Sequence, residues 1–274
     1  MRLLQHKTEA YWFYRFLSVV YDRWVNPLFW TETMRSEALA AAALDDRGLR
    51  TLDCGAGTGF TTEGIVAQVD ARNVTMIDQS PHQLARARAK PALAAVEKLE
   101  GDAEALPFGD DEFDRYVSAG SIEYWPDPQR GIAEAYRVLR AGGRATVIGP
   151  VRPANRLLRT LAQTWMLFPA EAEYRAWMER AGFAEVALVP LAPAWYRSRR
   201  VPYAVAAVGV KPAAGASPAA GAASAAERAR APMTPRRRLQ FAARFAAGSL
   251  AGALFVPVGA VLHARQRLQE RRGT

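Results

Sequence analysis

The stretch LDCGAGTGFTTEGIV, residues 52–66, places three glycines on alternate positions directly after a short apolar run. The apolar run predicts a strand, and the residues after the glycines predict a helix. At such a turn, backbone N–H groups and the helix N-terminus face a polar or anionic ligand. The pattern begins with Asp53 and continues through Gly55, Gly57 and Gly59. A dinucleotide loop has its third glycine one position later, so the spacing argues against a nicotinamide oxidoreductase. A tight turn without a ligand is the alternative.

Two acidic residues follow later predicted strands. Asp78, followed by Gln79, ends the apolar run in NVTMIDQS, and Asp102, followed by Ala103, lies in EGDAEALPF. A carboxylate at position 78 can accept both ribose hydroxyls, and Asp102 can accept from an adenine amino group. Open α/β sheets bind ligands at such strand ends. The alternatives are a turn carboxylate for Asp78 and a helix cap for Asp102.

Strand-like and helix-like segments alternate from about residue 41 to residue 210. The predicted strands are 49–54, 73–77, 95–100, 115–119, 144–148, 185–189 and 203–210, and the predicted helices include 61–69, 81–89 and 128–139. Pro81 and Pro128 suit first-turn positions of helices. Alternation of this kind builds a mostly parallel sheet with helices on both faces. We therefore predict an α/β, Rossmann-like fold with seven strands.

The chain divides into four regions. Residues 1–40 are rich in aromatic side chains and predict a helical cap, either packed on the core or acting as a lid over an apolar substrate. Residues 41–210 form the predicted ligand-binding domain. Residues 211–235, rich in Ala, Gly, Pro and Ser, predict a flexible linker. Residues 236–274 predict a basic-flanked membrane anchor.

The net charge of +9 is unevenly distributed. Residues 191–274 contain 14 Lys and Arg and 2 Asp and Glu, a charge of +12, which leaves −3 on residues 1–190. A nucleic-acid enzyme more often has a basic patch on its folded body. The basic tail therefore favours an anionic membrane surface as partner over nucleic acid.

An uncharged run of 18 residues, 245–262, lies within this basic tail. Arginines flank it on both sides, and Pro257 interrupts it. Eighteen residues is the threshold for a spanning helix. The run predicts a C-terminal membrane-anchor helix, with an interfacial or re-entrant segment and a packed soluble helix as alternatives.

The cysteine and histidines do not suggest a metal site. Cys54 is the only cysteine, and the three histidines have no metal-ligand spacing to one another or to Cys54. No secretory signal or transit peptide is recognisable at the start of the chain.

The ordered set of glycine turn, Asp78, Asp102 and the segment FDRYVSAGSIEYWPDPQRGIAEAYRVLRAGGR resembles class I S-adenosylmethionine (SAM)-dependent methyltransferases. The resemblance covers about 150 residues and implies SAM as cofactor. It implies that Asp53 and the three glycines line the methionine and ribose portion. It further implies ribose binding by Asp78, adenine binding by Asp102 and Ala103, and a place for Gln79 among the cofactor-binding residues. Two further residues would border the methionine end, namely Ser118 and Ala119.

A closer resemblance extends from about residue 3 to residue 212. The segments LLQHKTEAYWFYRFLSVVYD, DQSPHQLARA, RYVSAGSIEYWPDPQRGIAEAYRVL, WMLFP and WYR together resemble the plant-type 2-methyl-6-phytyl-1,4-hydroquinone methyltransferases. This implies ring methylation of 2-methyl-6-phytyl- and 2-methyl-6-solanesyl-1,4-benzoquinol, in tocopherol (vitamin E) and plastoquinone biosynthesis. It also implies a prenylated quinol as partner and the chloroplast inner envelope membrane as location. Precursors in this family carry a transit peptide, which is not visible here.

Ring methylation benefits from a base that ionises a hydroxyl next to the accepting carbon. Glu123 in GSIEYW is the candidate, with a loop carboxylate or an arginine partner as the alternative role. His82 is a second candidate base. An aromatic substrate cleft is a further hypothesis, formed by Tyr124, Trp125, Trp195 and Tyr196.

Two other functions remain open at this point. One is a methyltransferase that acts on another membrane lipid, such as a sterol or a ubiquinone or menaquinone precursor. The other is a non-catalytic, SAM-binding membrane scaffold.

Overall fold

The computed structural model of the protein describes residues 30–155, 159, 167–196, 198 and 200–213, together with the isolated residues 242, 243, 246 and 261. Within these residues the chain forms five α-helices and seven strands in one sheet. In chain order they are α1 (Glu32–Ala41), β1 (Thr51–Cys54), α2 (Phe60–Val66), β2 (Val74–Asp78), α3 (Pro81–Arg88), β3 (Glu97–Glu100), β4 (Phe113–Ala119), α4 (Pro128–Val138), β5 (Leu139–Pro150), α5 (Glu171–Ala181), β6 (Ala184–Leu191) and β7 (Ala204–Val210).

The strand order in the sheet is β3-β2-β1-β4-β5-β7-β6. Strands β1 to β5 pair in parallel, and β7 pairs antiparallel with both β5 and β6. The predicted Rossmann-like, mostly parallel seven-stranded sheet is therefore confirmed. The order reverses between β1 and β4, which is where open α/β sheets form a crevice for ligands.

The sheet lies between two apolar layers. Successive residues of a strand point to opposite faces, and in β4 Tyr116 belongs to one buried cluster while Val117 belongs to the other. The first cluster includes buried residues of α4 and α5, and the second includes those of α1, α2 and α3. Helices therefore cover both faces of the sheet, as predicted.

Local signals set the helix starts. Ser80 and Asp127 are the N-cap residues of α3 and α4, and each side chain accepts a hydrogen bond from the backbone three residues later. Pro81 and Pro128 occupy the first helical positions, as predicted. Helix α2 is shorter than predicted and ends at Val66.

Strand β5 is longer than the predicted 144–148, because tertiary pairing extends it. Leu139 pairs with Phe113 of β4. Gly142 donates its N–H to the carbonyl of Lys211, and Lys211 donates to Gly143, both at 2.8 Å. These bonds extend the strand across Gly142 and Gly143.

The predicted cap and anchor fall mostly outside the described residues. Residues 1–29 of the cap lie outside them, whereas α1 buries Met34, Ala38 and Leu39 against the core. Most of the predicted linker and nearly all of residues 236–274 also lie outside. Among the residues that the structure describes, no helix is both long and apolar enough to cross a membrane.

Candidate functional site

A cleft opens at the carboxyl ends of the parallel strands. Four segments line it: residues 54–55 after β1, 77–79 at the end of β2, 101–104 after β3, and 121 with 124–126 after β4. Because these strands are parallel neighbours, their following loops meet at one edge of the sheet. The structure thus brings together five of the predicted site residues, namely Gly55, Asp78, Gln79, Asp102 and Ala103.

The glycine turn has a backbone that other residues rarely adopt. Gly55 has a φ of +69°, and a Cβ there would lie 2.0 Å from the Ser121 hydroxyl oxygen. Gly57 has a φ of +57°, but a Cβ there would meet no atom within 4 Å. Gly55 is therefore required by close packing, whereas Gly57 borders open space. Gly59 is the N-cap residue of α2.

Asp78 connects the turn after β1 with the turn after β2. Its Oδ2 accepts from the N–H of Gly57 and its Oδ1 from the N–H of Ser80, both at 2.8 Å. The side chain is largely buried, yet the residue lines the cleft. Each carboxylate oxygen can accept more than one hydrogen bond.

Asp53 is fully buried behind the glycine turn. Its Oδ2 accepts from the Thr62 hydroxyl at 2.7 Å, while its Oδ1 has no hydrogen-bond partner among the described residues. Burial is the main cause that raises the pKa of this carboxyl to about 7, and the nearby Asp78 carboxylate adds to the shift. A cationic or hydrogen-donating ligand group nearby would favour its ionised form.

The adenine side of the predicted site is a tight loop after β3. Asp102 accepts from the N–H of Glu104 through Oδ1 at 2.9 Å, and its carbonyl accepts from Ala105 at 3.0 Å. Ala103 and Glu104 also line the cleft. The carboxylate of Asp102 caps its own turn and remains at the cleft wall.

Ser118 and Ala119 are the last two residues of β4. Ser118 is fully buried, and its hydroxyl has no hydrogen-bond partner within the described part of the chain. Neither residue is among the described residues that line the cleft, and the same holds for Asp53, Gly57 and Gly59. These five residues therefore stand outside the lining, although each lies within four positions of a lining residue in the chain.

Glu123 lies in a short 3₁₀ turn, Ile122–Tyr124, that follows β4. It is 6% exposed, and its Oε2 has no hydrogen-bond partner among the described residues. Burial raises the pKa of this carboxyl to about 8. No described arginine pairs with it, and its neighbour Tyr124 rather than Glu123 itself lines the cleft. Near neutral pH the carboxyl is largely protonated.

The candidate aromatic residues of the substrate cleft and the second candidate base, His82, lie in different places. Tyr124 and Trp125 line the cleft, whereas Trp195 and Tyr196 pack edge-to-face with Tyr203 in the connection between β6 and β7. His82 is exposed in the first turn of α3. Within the described residues, no group of three His, Cys, Asp or Glu side chains could hold a metal ion.

Sequence reasoning missed several lining residues. Ile77 and Gly101 immediately precede predicted site residues, so proximity to the motifs could have identified them. Glu104 and Ser121 also line the cleft. Ser121 is held by the Trp125 indole, which donates to its hydroxyl at 2.9 Å, a contact that no local pattern signals.

Comparison with known proteins places the chain among methyltransferases. A family model described as a methyltransferase domain matches residues 52–147. The chain is 53% identical over 258 residues to the chloroplastic 2-methyl-6-phytyl-1,4-hydroquinone methyltransferase of Arabidopsis thaliana. The aligned region covers 93% of this chain and 75% of that protein. It is 63% identical over 199 residues to the chloroplastic 2-methyl-6-phytyl-1,4-hydroquinone methyltransferase 2 of Oryza sativa subsp. japonica, covering 73% of this chain. The match spans only 57% of the rice protein's length.

Solved structures support the fold. The crystal structure of a SAM-dependent methyltransferase from Thermotoga maritima superposes with a TM-score of 0.58 at 22% identity. The superposition covers 73% of this chain and 99% of that one. At this level of identity, the likeness concerns the fold alone.

Replacing Gly55 and Gly57 with alanine, one at a time, should show which of them is required by close packing. Gly57→Ala is expected to lower the free energy of unfolding by about 1–2 kcal/mol, the cost of a left-handed alanine. Gly55→Ala should cost more, because the added methyl also collides with Ser121. Urea unfolding measures both, and equal losses would contradict the packing role of Gly55.

The buried Glu123 should make stability depend on pH. Its pKa rises from an ordinary 4.5 to about 8 in the fold, so the folded state holds a proton that the unfolded state releases between these values. The contribution of this carboxyl to the free energy of unfolding is therefore complete below about pH 4.5. It is lost as pH rises towards 8, by about 1.4 kcal/mol per pH unit at most. Glu123→Gln should match the wild type near pH 4 and exceed it by about 3–5 kcal/mol at pH 8.5. Urea titrations of both proteins that stay parallel across this range would refute the prediction.

Proposed function

This chain belongs to the family of the 2-methyl-6-phytyl-1,4-hydroquinone methyltransferases, and we propose that it methylates a ring carbon of a prenylated hydroquinone with SAM as donor. The family relationship to the A. thaliana protein is the observation that carries the proposal. The expected acceptors are 2-methyl-6-phytyl- and 2-methyl-6-solanesyl-1,4-benzoquinol, in tocopherol and plastoquinone biosynthesis. The relatives are named chloroplastic, which supports a chloroplast location, and we propose the inner envelope membrane within it.

The residues at the cleft fit the proposed cofactor. Asp78 can hold the ribose hydroxyls and, with Gln79, forms the cleft edge at β2. Asp102 and the N–H of Ala103 can hold the adenine, and the open space beside Gly57 leaves room next to the turn. The Oδ1 of Asp53, which has no hydrogen-bond partner among the described residues, favours a positive charge nearby. When bound, SAM supplies an electrophilic methyl group on a positively charged sulfur. We place Gly55, Gly59, Ser118 and Ala119 around the methionine portion.

Glu123 is proposed as the base that takes the proton from a ring hydroxyl. Ionising that hydroxyl raises electron density at the neighbouring ring carbon, which is otherwise a weak nucleophile. The raised pKa of Glu123 makes its ionised form a stronger base than an ordinary carboxylate, although this form becomes abundant only as pH approaches 8. The neighbouring Tyr124 and Trp125 bring the turn that carries Glu123 to the cleft.

We also propose that residues 236–274 anchor the protein to the membrane. The uncharged run 245–262 and its flanking arginines support this, since arginines near an anionic surface contribute about 1 kcal/mol each. A quinol with a long prenyl tail resides in the bilayer. Tethering the domain beside that bilayer raises the effective concentration of its substrate.

The decisive experiment follows a labelled methyl group. Membranes containing the protein are incubated with methyl-labelled SAM and 2-methyl-6-phytyl-1,4-benzoquinol, and the label is located on the ring. Label on the ring carbon supports the proposal. Label only on a demethylated menaquinone or ubiquinone precursor would reassign the acceptor, and SAM binding without transfer to any acceptor would indicate a scaffold.

Replacing the proposed base should alter the pH profile. Wild-type turnover is expected to rise as pH approaches and passes 8, because Glu123 loses its proton there. Glu123→Gln should reduce turnover about 100-fold or more and remove this rise, while SAM binding persists. Unchanged turnover across pH would eliminate Glu123 as the base.

Deleting residues 236–274 should separate catalysis from substrate access. Calorimetry should show unchanged binding of S-adenosylhomocysteine, whereas methyl transfer to quinol embedded in lipid vesicles should fall about 100-fold, the lower range for a lost tether. A detergent-dispersed quinol serves as the control acceptor. Equal activity on vesicles with and without these residues would argue against the anchor.

A further inference from the structure

Two loops that are not neighbours in the sheet form opposite walls of the cleft. Residues 101–104 follow β3, while 121 and 124–126 follow β4. Strands β2 and β1 lie between β3 and β4. At the usual strand spacing, the axes of β3 and β4 are therefore about 14 Å apart. The sheet joins these loops only through the two intervening strands, so a direct contact between their segments would fix the distance between the walls more closely.

Glu104 makes that contact. The residue is 3% exposed, and its Oε1 accepts from the backbone N–H of Asp127 at 2.8 Å. The guanidinium of Arg130 donates in return to the carbonyl of Glu104. On the adenine side, the N–H of Glu104 donates to the Asp102 carboxylate at 2.9 Å. One residue therefore links the adenine loop to the segment that directly follows the second wall.

The bond completes the start of α4. Asp127 is the N-cap residue, and its Oδ1 accepts from the N–H of Arg130 at 3.2 Å. In a capping box, a Glu or Gln at the third helical position bonds the N–H of the N-cap residue. Arg130 occupies that position here, and Glu104 supplies the missing carboxylate from another segment. Its negative charge also suits the positive end of the helix.

A second contact further along α4 has similar chemistry but lies away from the cleft. Glu134 is one turn after Arg130, and its Oε2 accepts from the N–H of Leu106 at 2.8 Å. Arg137 donates to the carbonyl of Leu106 at 3.1 Å. Glu134 is not among the described residues that line the cleft, which makes it a matched control for Glu104.

We propose that Glu104 is a positioning residue that holds the adenine loop at the correct distance from the wall formed after β4. The inference rests on the proposed cofactor site and adds the residue that maintains its width. Removing the carboxylate leaves the N–H of Asp127 without this acceptor and leaves the bond from Arg130 to the Glu104 carbonyl as the remaining link, so the walls move apart and Asp102 and Ala103 no longer face the cofactor together with the glycine turn. The same separation moves the turn that carries Glu123 relative to the bound cofactor.

The test is calorimetric titration of the full chain with S-adenosylhomocysteine. Glu104→Ala should raise its Kd about 10- to 100-fold, since a lost charge-assisted bond typically changes an equilibrium by that factor. Glu104→Gln keeps a carbonyl oxygen for Asp127 and should stay within about threefold of the wild type. Glu134→Ala should lower the unfolding temperature comparably, yet leave the Kd unchanged.

Three outcomes would overturn the inference: wild-type affinity in Glu104→Ala, no rescue by Glu104→Gln, or equal weakening by Glu134→Ala. If Glu104→Ala does not fold, Glu104→Asp replaces it, because it keeps the charge but withdraws the acceptor by one methylene. Wild-type affinity in Glu104→Asp would then overturn the inference. A wild-type chain that does not bind S-adenosylhomocysteine would refute the proposed cofactor site itself, which distinguishes the two failures.

Discussion

The hydrogen bond from the Gly57 N–H to the Asp78 carboxylate is the contact on which the site depends. It exists because β1 and β2 are parallel neighbours, so that the turns after them meet at the same edge of the sheet. The positive φ of Gly57 directs its N–H towards Asp78 while leaving open space where a side chain would stand. One carboxylate thereby fixes the shape of the turn and provides the edge of the cleft.

Two buried carboxyls near the cleft carry a cost in stability. Asp53 and Glu123 each have an oxygen without a hydrogen-bond partner in the described part of the chain, and burial raises the pKa of both. Such groups destabilise the fold when they ionise, and proteins commonly tolerate this cost at functional sites. Asp53 lies in β1 directly before the glycine turn, and Glu123 lies in the short turn that follows β4.

Sequence patterns predicted much of this architecture. All seven predicted strands overlap observed strands, and Pro81 and Pro128 begin their helices. The patterns were weaker where partners come from distant segments. Strand β5 extends back to Leu139 through its pairing with β4 and its contacts with Lys211. Helix α5 lies outside the predicted helices, and the antiparallel direction of β7 has no local signal.

The amino-acid sequence by itself determined the sheet class, the glycine turn and the acids at the ends of β2 and β3. Each of these depends on short-range chemistry, such as strand periodicity, the conformational freedom of glycine and the position of a carboxylate after an apolar run. Only the tertiary structure decided that Glu104 bonds the start of α4, that Ser121 requires Gly55, and that Glu123 is buried. These depend on which distant segments meet, because burial and hydrogen-bond partners arise from packing and are not encoded in any local pattern.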